Sequence, residues 1–436
     1  MKKYVLVAVS AAFSSSLLAT NGYQLIGIGT YQKSLGGAVT AKPGSAMAAI
    51  TNPAGMARIG KRADFSMELF QPERSVDFSA IGGAQADSAS ELYGIPSLGW
   101  TAPISDENDD VFFGGGIYGT SGLGADYPLT LVSPAGGFGP GDVYFSGFSA
   151  IQFWQMAPTL AWNHSDTLSF GLSLNINYQS ASLKQSFSMD TTTDGLVNPD
   201  VELVNTDLSR VSQAFGYGFT VGLIYDVSDD FTFGLSYKSK QSFSPLEYQL
   251  NFADIQGNPN LGVTTGCANE VCPAGTYELD LEFPAIMSLG FSYSPTDALT
   301  ISYDHRNIRW SDTLNDIRIT GEGSMMLSLP TGWENQSINA LGIEYKVSES
   351  FFLRMGYNEA DAPINEADVA NNYILPATST EHYTLGAEFQ INKQWGFAFH
   401  YMKAPNQTLR SNNPAFLNTS IALETTTFGI NLSYQM

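Results

Sequence analysis

Side chains that could carry out acid–base or nucleophilic chemistry are few in this chain, and they are not spaced for it. Its 436 residues include four histidines, His164, His305, His382 and His400. A catalytic acid or base must reach the reacting atom, and a serine nucleophile needs a base beside it. Serine and aspartate are plentiful, but no spaced motif joins them to a histidine. We therefore expect no enzyme, no metal and no cofactor.

The two cysteines, Cys267 and Cys272, are separated by four residues. In an oxidising compartment such a pair predicts a small disulfide that braces one loop. The alternative is a metal site, which needs further ligands. None of the histidines lies close in sequence, so the spacing favours the disulfide.

A glycine-rich run matches the phosphate-binding pattern G-x-G-x-x-G through Gly114, Gly116 and Gly119. That pattern indicates a dinucleotide site only where a strand leads into a helix, and no such unit is predicted here. Consecutive glycines weaken a strand and suit a bulge or kink. Gly114, Gly115 and Gly116 are therefore a candidate lateral gate. The alternative is a flexible strand with no gate.

Basic side chains occupy the polar phase of several strand-like stretches. Lys238, Arg306 and Arg354 are candidate contacts for a ligand carboxylate, which arginine binds through paired donors. Acidic residues share this phase at Asp304, Glu344 and Glu388. The alternative is an internal salt-bridge network that fills the interior.

The composition excludes several classes of protein that could present these groups. Charged residues make up 14% of the chain, against roughly 25% in an ordinary soluble domain. The formal net charge of −22 argues against a nucleic-acid binder, which would be basic. The aromatic content of 12% argues against a disordered chain. After the first twenty positions there is no apolar run of the ~18 residues that a membrane helix needs.

Apolar and small polar residues alternate through most of the chain. In 215–225 and 395–402, for example, apolar or aromatic residues occupy every second position. Successive side chains of a strand point to opposite faces, so one face is apolar and the other is small and polar. A soluble sandwich gives the same alternation. Stretches of ~9–12 residues with aromatic ends are typical of strands that cross a membrane.

The connections between these stretches alternate between short and long. The short turns lie at 105–110, 163–166, 227–230, 294–297, 348–350 and 392–393. The long segments lie at about 75–91, 120–146, 183–211, 250–277, 311–335, 361–380 and 404–424. Together they join about fourteen strands, and an even number is usual for such barrels. The predicted fold is all-β, a transmembrane antiparallel β-barrel over residues 63–436 with both termini in the periplasm.

The first 62 residues do not follow this alternation. A charged start at Lys2 and Lys3, a short apolar stretch and small residues near Ala19 predict a signal peptide at 1–20. The apolar stretch is too short for a transmembrane anchor. Residues 21–62 are rich in glycine and alanine, and they are too few for an independent domain. We therefore predict an N-terminal hatch, a plug in the barrel lumen, rather than a disordered tail.

Several short motifs resemble the FadL family of transporters for long-chain fatty acids and hydrophobic compounds. The stretch 21–25 resembles the family's mature start, and Asn52, Pro53 and Ala54 resemble its hatch motif. The stretch 122–127 resembles the segment after the third strand, and 283–285 resembles a later hairpin. One departure is the last residue, Met436, where such barrels usually end in an aromatic residue.

The resemblance implies a fourteen-stranded barrel with an N-terminal hatch and an interior ligand site. It also implies release through a gap in the wall beside a kinked third strand, which here contains Gly114–Gly116. An acyl chain gains ~0.8 kcal/mol per buried methylene, which suits an apolar passage with a lateral exit into lipid. We expect an outer-membrane channel of a Gram-negative bacterium that takes up long-chain fatty acids or similar compounds.

The expected partners are a hydrophobic ligand, the lipid and lipopolysaccharide of the outer membrane, and the barrel assembly machinery. We expect a monomer that binds no nucleic acid. Three alternatives stay open. A general diffusion porin would not need a plug, a channel for aromatic hydrocarbons or alkanes would use the same passage, and a barrel enzyme would need a serine–histidine pair.

Overall fold

The computed structural model describes residues 21–105, 108–192, 194, 196–259, 263–321 and 326–436. The predicted signal peptide lies outside the described residues and stays a prediction. The alternating stretches form a closed antiparallel barrel of fourteen strands, which confirms the predicted fold class. The strands are β1 Arg62–Asp77, β2 Tyr93–Ser105, β3 Asn108–Ser133, β4 Asp142–Met156 continued by Thr159–Asn163, β5 Leu168–Asp190, β6 Val201–Ser228, β7 Phe231–Lys238, β8 Ile286–Thr296, β9 Leu299–Ile308, β10 Gln336–Ser348, β11 Phe351–Ala360, β12 Glu381–Gln390, β13 Trp395–Arg410 and β14 Ser420–Gln435.

The barrel closes by pairing its first and last strands. β1 pairs with β14 over its whole length, from Arg62 opposite Gln435 to Asp77 opposite Ser420. The other strands pair with their neighbours in chain order, as a meander does. Closure leaves no open sheet edge at the two ends of the chain, and this suits a wall that faces lipid.

The two faces of the wall have different surroundings, as the alternation predicts. On β6, Phe215 and Tyr217 are large, outward and exposed. The inward residues beside them are small or carry amides. Asn175 of β5, for example, accepts from Gln155 at 3.0 Å and donates to Thr220 at 3.0 Å. Such bonds satisfy polar groups that would otherwise be costly to bury.

The wall extends further at one end than the sequence predicts. The predicted turns at 163–166, 227–230, 294–297, 348–350 and 392–393 are confirmed, and that at 105–110 lies partly outside the described residues. The predicted long loops 120–146 and 183–211 are wrong in part, because β3, β5 and β6 continue through much of them. Residues 181–190 of β5 are nearly all buried. Their sequence therefore lacks the alternation of apolar and polar residues by which the other strands were predicted.

The long connections fold over this end of the barrel. Four short strands form a second sheet there: Leu246–Leu250, Gly275–Asp280, Ile317–Thr320 and Met326–Leu329. Phe78, Phe145 and Tyr373, from three distant parts of the chain, pack with ring centroids 5.1–5.6 Å apart. Aromatic side chains therefore close this end with an apolar core. The Cys267–Cys272 disulfide lies in the connection between β7 and β8.

Shorter elements lie within the same connections. The short strands are Gln85–Asp87, Ser242–Phe243 and Ile255–Gln256. The short helices are Ser79–Ile81, Ala268–Glu270, Ser311–Leu314, Val369–Asn371 and Pro414–Phe416. In the part of the chain that the structure describes, no helix is both long and apolar enough to cross a membrane.

Residues 21–61 lie inside the barrel and are almost entirely buried. They contain α1 (Gly29–Ser34), α2 (Ala48–Thr51) and a 3-10 helix (Pro53–Arg58). α1 contacts β1 and β11–β14, whereas the 3-10 helix contacts β3–β6 on the other side of the wall. We call residues 21–61 the N-terminal segment. The function of this segment as a hatch stays a prediction.

Candidate functional site

The predicted hatch motif fastens the N-terminal segment to the wall. The amide nitrogen of Asn52 donates to the carbonyl oxygens of Thr40 at 2.7 Å and Leu223 at 3.1 Å. Its amide oxygen accepts from the backbone N–H of Ala54 at 3.2 Å and so caps the 3-10 helix that begins at Pro53. One side chain therefore joins two parts of the segment to β6.

Two wall glycines make room for this contact. Gly171 and Gly222 are opposite each other on β5 and β6. A Cβ on Gly222 would overlap the side-chain oxygen of Asn52, and one on Gly171 would overlap the backbone of Pro53 and Ala54. The sequence shows both as small residues on the polar phase, but it gives no sign of what they face.

Arg306, a predicted carboxylate contact, holds the N-terminal segment in this structure. Its guanidinium donates to the carbonyl oxygen of Ile26 at 3.0 Å and to that of Gly37, and it lies 3.6 Å from Asp304. Asp304 in turn accepts from the hydroxyl of Thr40 at 2.7 Å. The internal salt-bridge alternative accounts for each of these groups.

Arg354, the second predicted arginine, is likewise engaged. Its guanidinium lies 2.6 Å from Glu344 and 2.7 Å from Glu388, and its central carbon lies 4.6 Å from the ring centroid of Tyr31 in α1. Wall carboxylates thus neutralise both predicted arginines. Their role as ligand contacts stays a prediction.

Lys238, the third predicted contact, has different surroundings. Its ammonium lies 5.1 Å from the ring centroid of Phe283, and the described residues place no carboxylate within ion-pair distance. The Phe283 ring belongs to an aromatic cluster with Tyr23, Phe153 and Trp310, at centroid distances of 5.5–6.1 Å from it. Lys238 stays a predicted contact.

A third buried ion pair was missed from the sequence. Lys33 of α1 lies 2.9 Å from Glu68 of β1, whose other oxygen lies 3.4 Å from the ring of His400. The other ring nitrogen of His400 lies 3.2 Å from the hydroxyl of Thr30. Lys33 lies outside every strand, so the period of two could not assign it a face.

Gly114–Gly116 lie where the wall is irregular. Opposite them, Ala157 and Pro158 interrupt β4. Gly115 has φ +134, which side-chain-bearing residues rarely adopt, and a Cβ there would overlap the carbonyl oxygen of Ala157. The glycine run therefore permits a bulge in β3 against a break in β4.

Beyond this bulge β2 and β3 part. Within the described residues their pairing ends at Ser97 opposite Tyr118. The stretch 93–96 of β2 pairs with β1 alone, and the stretch 119–122 of β3 pairs with β4 on its other edge. We call the space between these two stretches the slot. Pro96 lies at its edge and has no N–H to donate.

The N-terminal segment covers the free edge of β3 from inside. The N–H of Leu25 donates to the carbonyl oxygen of Thr120 at 3.3 Å, and the N–H of Gly122 donates to that of Tyr23 at 3.3 Å. The Tyr23 ring stacks on Phe153 of β4 with centroids 5.5 Å apart. Burial raises the pKa of the Tyr23 hydroxyl well above its usual value.

Two cavities meet at the slot. The wall pocket lies between β2, β3 and β4, and its lining includes Tyr93, Ile95 and Trp154. The inner cavity lies between the N-terminal segment and β1, β12, β13 and β14. The residues that line both are Leu25, Phe70, Arg74, Gly122 and Leu123. The two cavities are therefore neighbours, and four of the five residues that they share are apolar or glycine.

A comparison with known families assigns this barrel. The family described as "Outer membrane protein transport protein (OMPP1/FadL/TodX)" matches residues 6–435. The chain belongs to this family. Membership confirms the resemblance stated above, and it confirms the predicted location in the Gram-negative outer membrane. The FadL/TodX family consists of outer-membrane transporters of hydrophobic compounds.

The individual relatives of this chain are distant in sequence. Outer membrane protein P1 of Haemophilus influenzae is 24% identical over 411 residues, which cover 86% of this chain and 83% of that protein. The long-chain fatty acid transport protein of Escherichia coli is 24% identical over 302 residues, 64% of this chain and 63% of that one.

Two solved structures show the same fold. The toluene transporter TodX of Pseudomonas putida aligns with a TM-score of 0.74 at 20% identity, covering 94% of this chain and 99% of that one. A Pseudomonas aeruginosa FadL homologue aligns with a TM-score of 0.70 at 18% identity, covering 95% and 99%.

The sequence of this chain contains one sign of the slot. Pro96 falls inside a predicted strand, and proline is disfavoured in a central strand because it cannot donate to the ladder. Arg74, which lines both cavities, was not predicted from the sequence to face inward. It lies where the predicted first strand ends and the predicted loop 75–91 begins, so the alternation assigned it to neither face of the wall.

Proposed function

We propose that this protein takes up long-chain fatty acids or similar hydrophobic compounds and releases them sideways through the slot. The observation that carries this proposal is the parting of β2 from β3, where the backbone of the N-terminal segment hydrogen-bonds to the free edge of β3. A ligand in the inner cavity would reach lipid through the wall pocket once residues 23–25 leave that edge.

The lining of the route supports an apolar cargo. The side chains of Phe70, Leu123 and Phe153 face the wall pocket. An acyl chain of about fifteen methylenes gains on the order of 10 kcal/mol on leaving water, so it will not travel down an aqueous pore. Release into lipid keeps it out of water throughout. Because the N-terminal segment fills the lumen, a plugged transporter is favoured over a diffusion porin.

The same route would accept an aromatic hydrocarbon or an alkane. The relatives differ on this point, since one is named for fatty acids and another for toluene. The lateral route itself does not depend on which cargo is correct.

A reversible cross-link tests the lateral route. Gln24 and Ser121 are opposite each other in an antiparallel bridge. Such partners have Cα atoms about 4.5–5.5 Å apart, within the range that a disulfide spans. We expect the pair Gln24→Cys and Ser121→Cys to abolish uptake of labelled oleate by cells when oxidised, and reduction to restore it.

A second cysteine pair is the matched control. Ser292 and Ser302 are inward partners on β8 and β9, away from the slot. Oxidation of Ser292→Cys with Ser302→Cys should leave uptake at the wild-type rate, and it also controls for reduction of the native disulfide. Undiminished uptake with the N-terminal segment cross-linked to β3 would rule out the lateral route.

A further inference from the structure

The slot is closed at both of its ends. At one end β2 and β3 pair at Ser97 opposite Tyr118. At the other end the connection before β2 returns to β3, where the N–H of Ala89 donates to the carbonyl oxygen of Asp126 at 2.8 Å. Residues 119–125 of β3 lie between these ends, and they span about 20 Å at ~3.3 Å per residue. The slot is therefore a window of limited size, and any cargo that leaves through it must fit inside that window.

Two side chains of β2 reach across the slot to β3. Ile95 reaches Gly119, because a Cβ on that glycine would lie 2.8 Å from Cγ2 of Ile95. Tyr93 reaches Gly124, because a Cβ on this second glycine would lie 2.6 Å from the hydroxyl oxygen of Tyr93. Each side chain therefore spans the space between the two strands. We call Tyr93 and Ile95 the bars.

The Tyr93 bar is supported by side chains of β1. Its ring centroid lies 6.3 Å from that of Phe70 in an edge-on arrangement, and 5.8 Å from the guanidinium carbon of Arg74. Arg74 is buried and donates to the carbonyl oxygen of Ser90 at 2.9 Å. Edge-on aromatic pairs and cation–π contacts are both attractive. These contacts hold the Tyr93 ring across the slot.

The bars lie in the passage that the cargo would use. Tyr93 and Ile95 both line the wall pocket, together with Trp154 of β4. The same pocket includes Gly94 and Gln152, which are exposed at the surface of the wall. A cargo that leaves through the wall pocket must therefore pass the bars.

The spacing of the bars limits the thickness of that cargo. Residues two positions apart on a strand lie on one face, about 6.6 Å from each other at ~3.3 Å per residue. Nonbonded carbon atoms stay about 3.5–4.0 Å apart, so one layer of atoms between two bars needs about 7–8 Å. An unbranched chain or a flat ring therefore needs only a small shift of the bars. A cage-shaped group is several atoms thick and needs a bar to leave the slot.

We propose that Tyr93 and Ile95 are specificity-determining residues that restrict the cargo to molecules about one atom thick, namely unbranched chains and flat rings. The inference rests on the lateral route proposed above and defines which hydrophobic molecules can use it. It applies to a fatty acid and to a flat aromatic hydrocarbon alike. Gly119 and Gly124 contribute the space in which the bars reach β3.

Two labelled acids of different thickness test this inference. Oleate is thin along its whole length, whereas a fatty acid that ends in an adamantyl group carries a rigid cage. Uptake of each acid is measured in a host without its own fatty-acid transporter, so that a change in the ratio of the two rates between variants reports on the barrel. We expect the wild type to take up oleate about tenfold faster than the cage acid, or more. Tyr93→Ala should raise uptake of the cage acid about tenfold and change uptake of oleate by less than about threefold.

Further variants make the result specific. Tyr93→Phe keeps the ring and should keep the wild-type ratio, whereas Ile95→Ala should raise uptake of the cage acid as Tyr93→Ala does. Tyr357 of β11 is the matched control, because it is also a half-buried wall tyrosine and lies 5.3 Å from another tyrosine ring. Tyr357→Ala should leave both rates within about twofold of the wild type. Heat-modifiable gel migration verifies that each barrel is folded.

The other outcomes separate the bars from the route. Equal uptake of the two acids by the wild type would overturn the inference, and so would folded Tyr93→Ala and Ile95→Ala barrels that keep the wild-type ratio. Entry of sugars into liposomes that contain Tyr93→Ala would also overturn it, because the cage acid would then pass through a general leak. Oleate uptake that the oxidised pair Gln24→Cys and Ser121→Cys does not diminish would instead refute the lateral route itself.

Discussion

Replacing Gly115 by valine perturbs the wall at the position that the slot depends on. Gly115 has φ +134, and a Cβ there would overlap the carbonyl oxygen of Ala157. A side-chain-bearing residue in so sparsely populated a conformation costs about 1–3 kcal/mol before any overlap is counted. The bulge in β3 should therefore flatten, since the overlap involves backbone that cannot rotate away.

The flattened strand has an alternative partner. The stretch 93–96 of β2 would then lie beside β3, and each new backbone hydrogen bond contributes about 0.5–1.5 kcal/mol. Two or three such bonds offset the cost of moving β3. Gly115→Val should thus assemble into a barrel, close the slot and reduce uptake of labelled oleate about tenfold or more, a change of at least about 1.4 kcal/mol in the rate-limiting barrier.

The assay needs a control for backbone strain alone. Gly136 has φ +96 in the connection between β3 and β4, and a Cβ there would meet nothing within 4 Å. Gly136→Val should carry similar strain and transport at the wild-type rate. Both variants are compared for heat-modifiable migration and for uptake in a host without its own fatty-acid transporter. Wild-type uptake by a folded Gly115→Val barrel would refute the reasoning.

Three other substitutions address the N-terminal segment and the outer loop. Asn52→Ala removes the hydrogen bonds to Thr40 and Leu223, so the N-terminal segment should be held to the wall less tightly by about 1–3 kcal/mol. We expect sugars to enter liposomes that contain this variant and to make them swell, and an absence of swelling would contradict the prediction. Lys33→Met leaves the buried Glu68 carboxylate with only the His400 ring beside it, so the barrel should unfold on gels at lower temperature by the equivalent of about 3–5 kcal/mol, and adding Glu68→Leu should restore most of it. Replacing Cys267 and Cys272 by serine should leave the unfolding temperature of the barrel unchanged and make proteolysis of the loop around the disulfide faster. A large drop in the unfolding temperature would mean that this loop supports the wall.

The sequence predicted the barrel wall well where one face meets lipid. The outward phase of β6 is legible because Phe215 and Tyr217 alternate with small inward residues. Further along β5, Phe187 and Met189 are buried together with Ser186 and Ser188, and the alternation disappears. The long loops were therefore predicted wrongly because the two faces of this part of the strand do not differ in burial. Counting apolar residues could not correct that error.

The functional residues were harder to predict because their roles depend on contacts distant in sequence. The inward phase correctly grouped Arg306 with Asp304, but it could not show that the N-terminal segment would occupy both. Conversely, Arg74 is distinctive because it lines both cavities with no acid at ion-pair distance among the described residues, and this depends on contacts distant in sequence. The glycine run pointed to the irregular wall without any knowledge of distant contacts, since Gly115 acts through its own backbone.

Under the proposed lateral route, the short pairing between the N-terminal segment and β3 would also set a minimum size for the cargo. Two backbone hydrogen bonds and one ring stack hold the segment there, together about 1.5–4.5 kcal/mol. Thermal fluctuation then leaves the slot uncovered between about one time in ten and one in two thousand. A guest that competes for this space must bury about two to six methylenes to match the segment, at ~0.8 kcal/mol each. Transport rates in a series of acids should therefore rise steeply up to about that length and then level off.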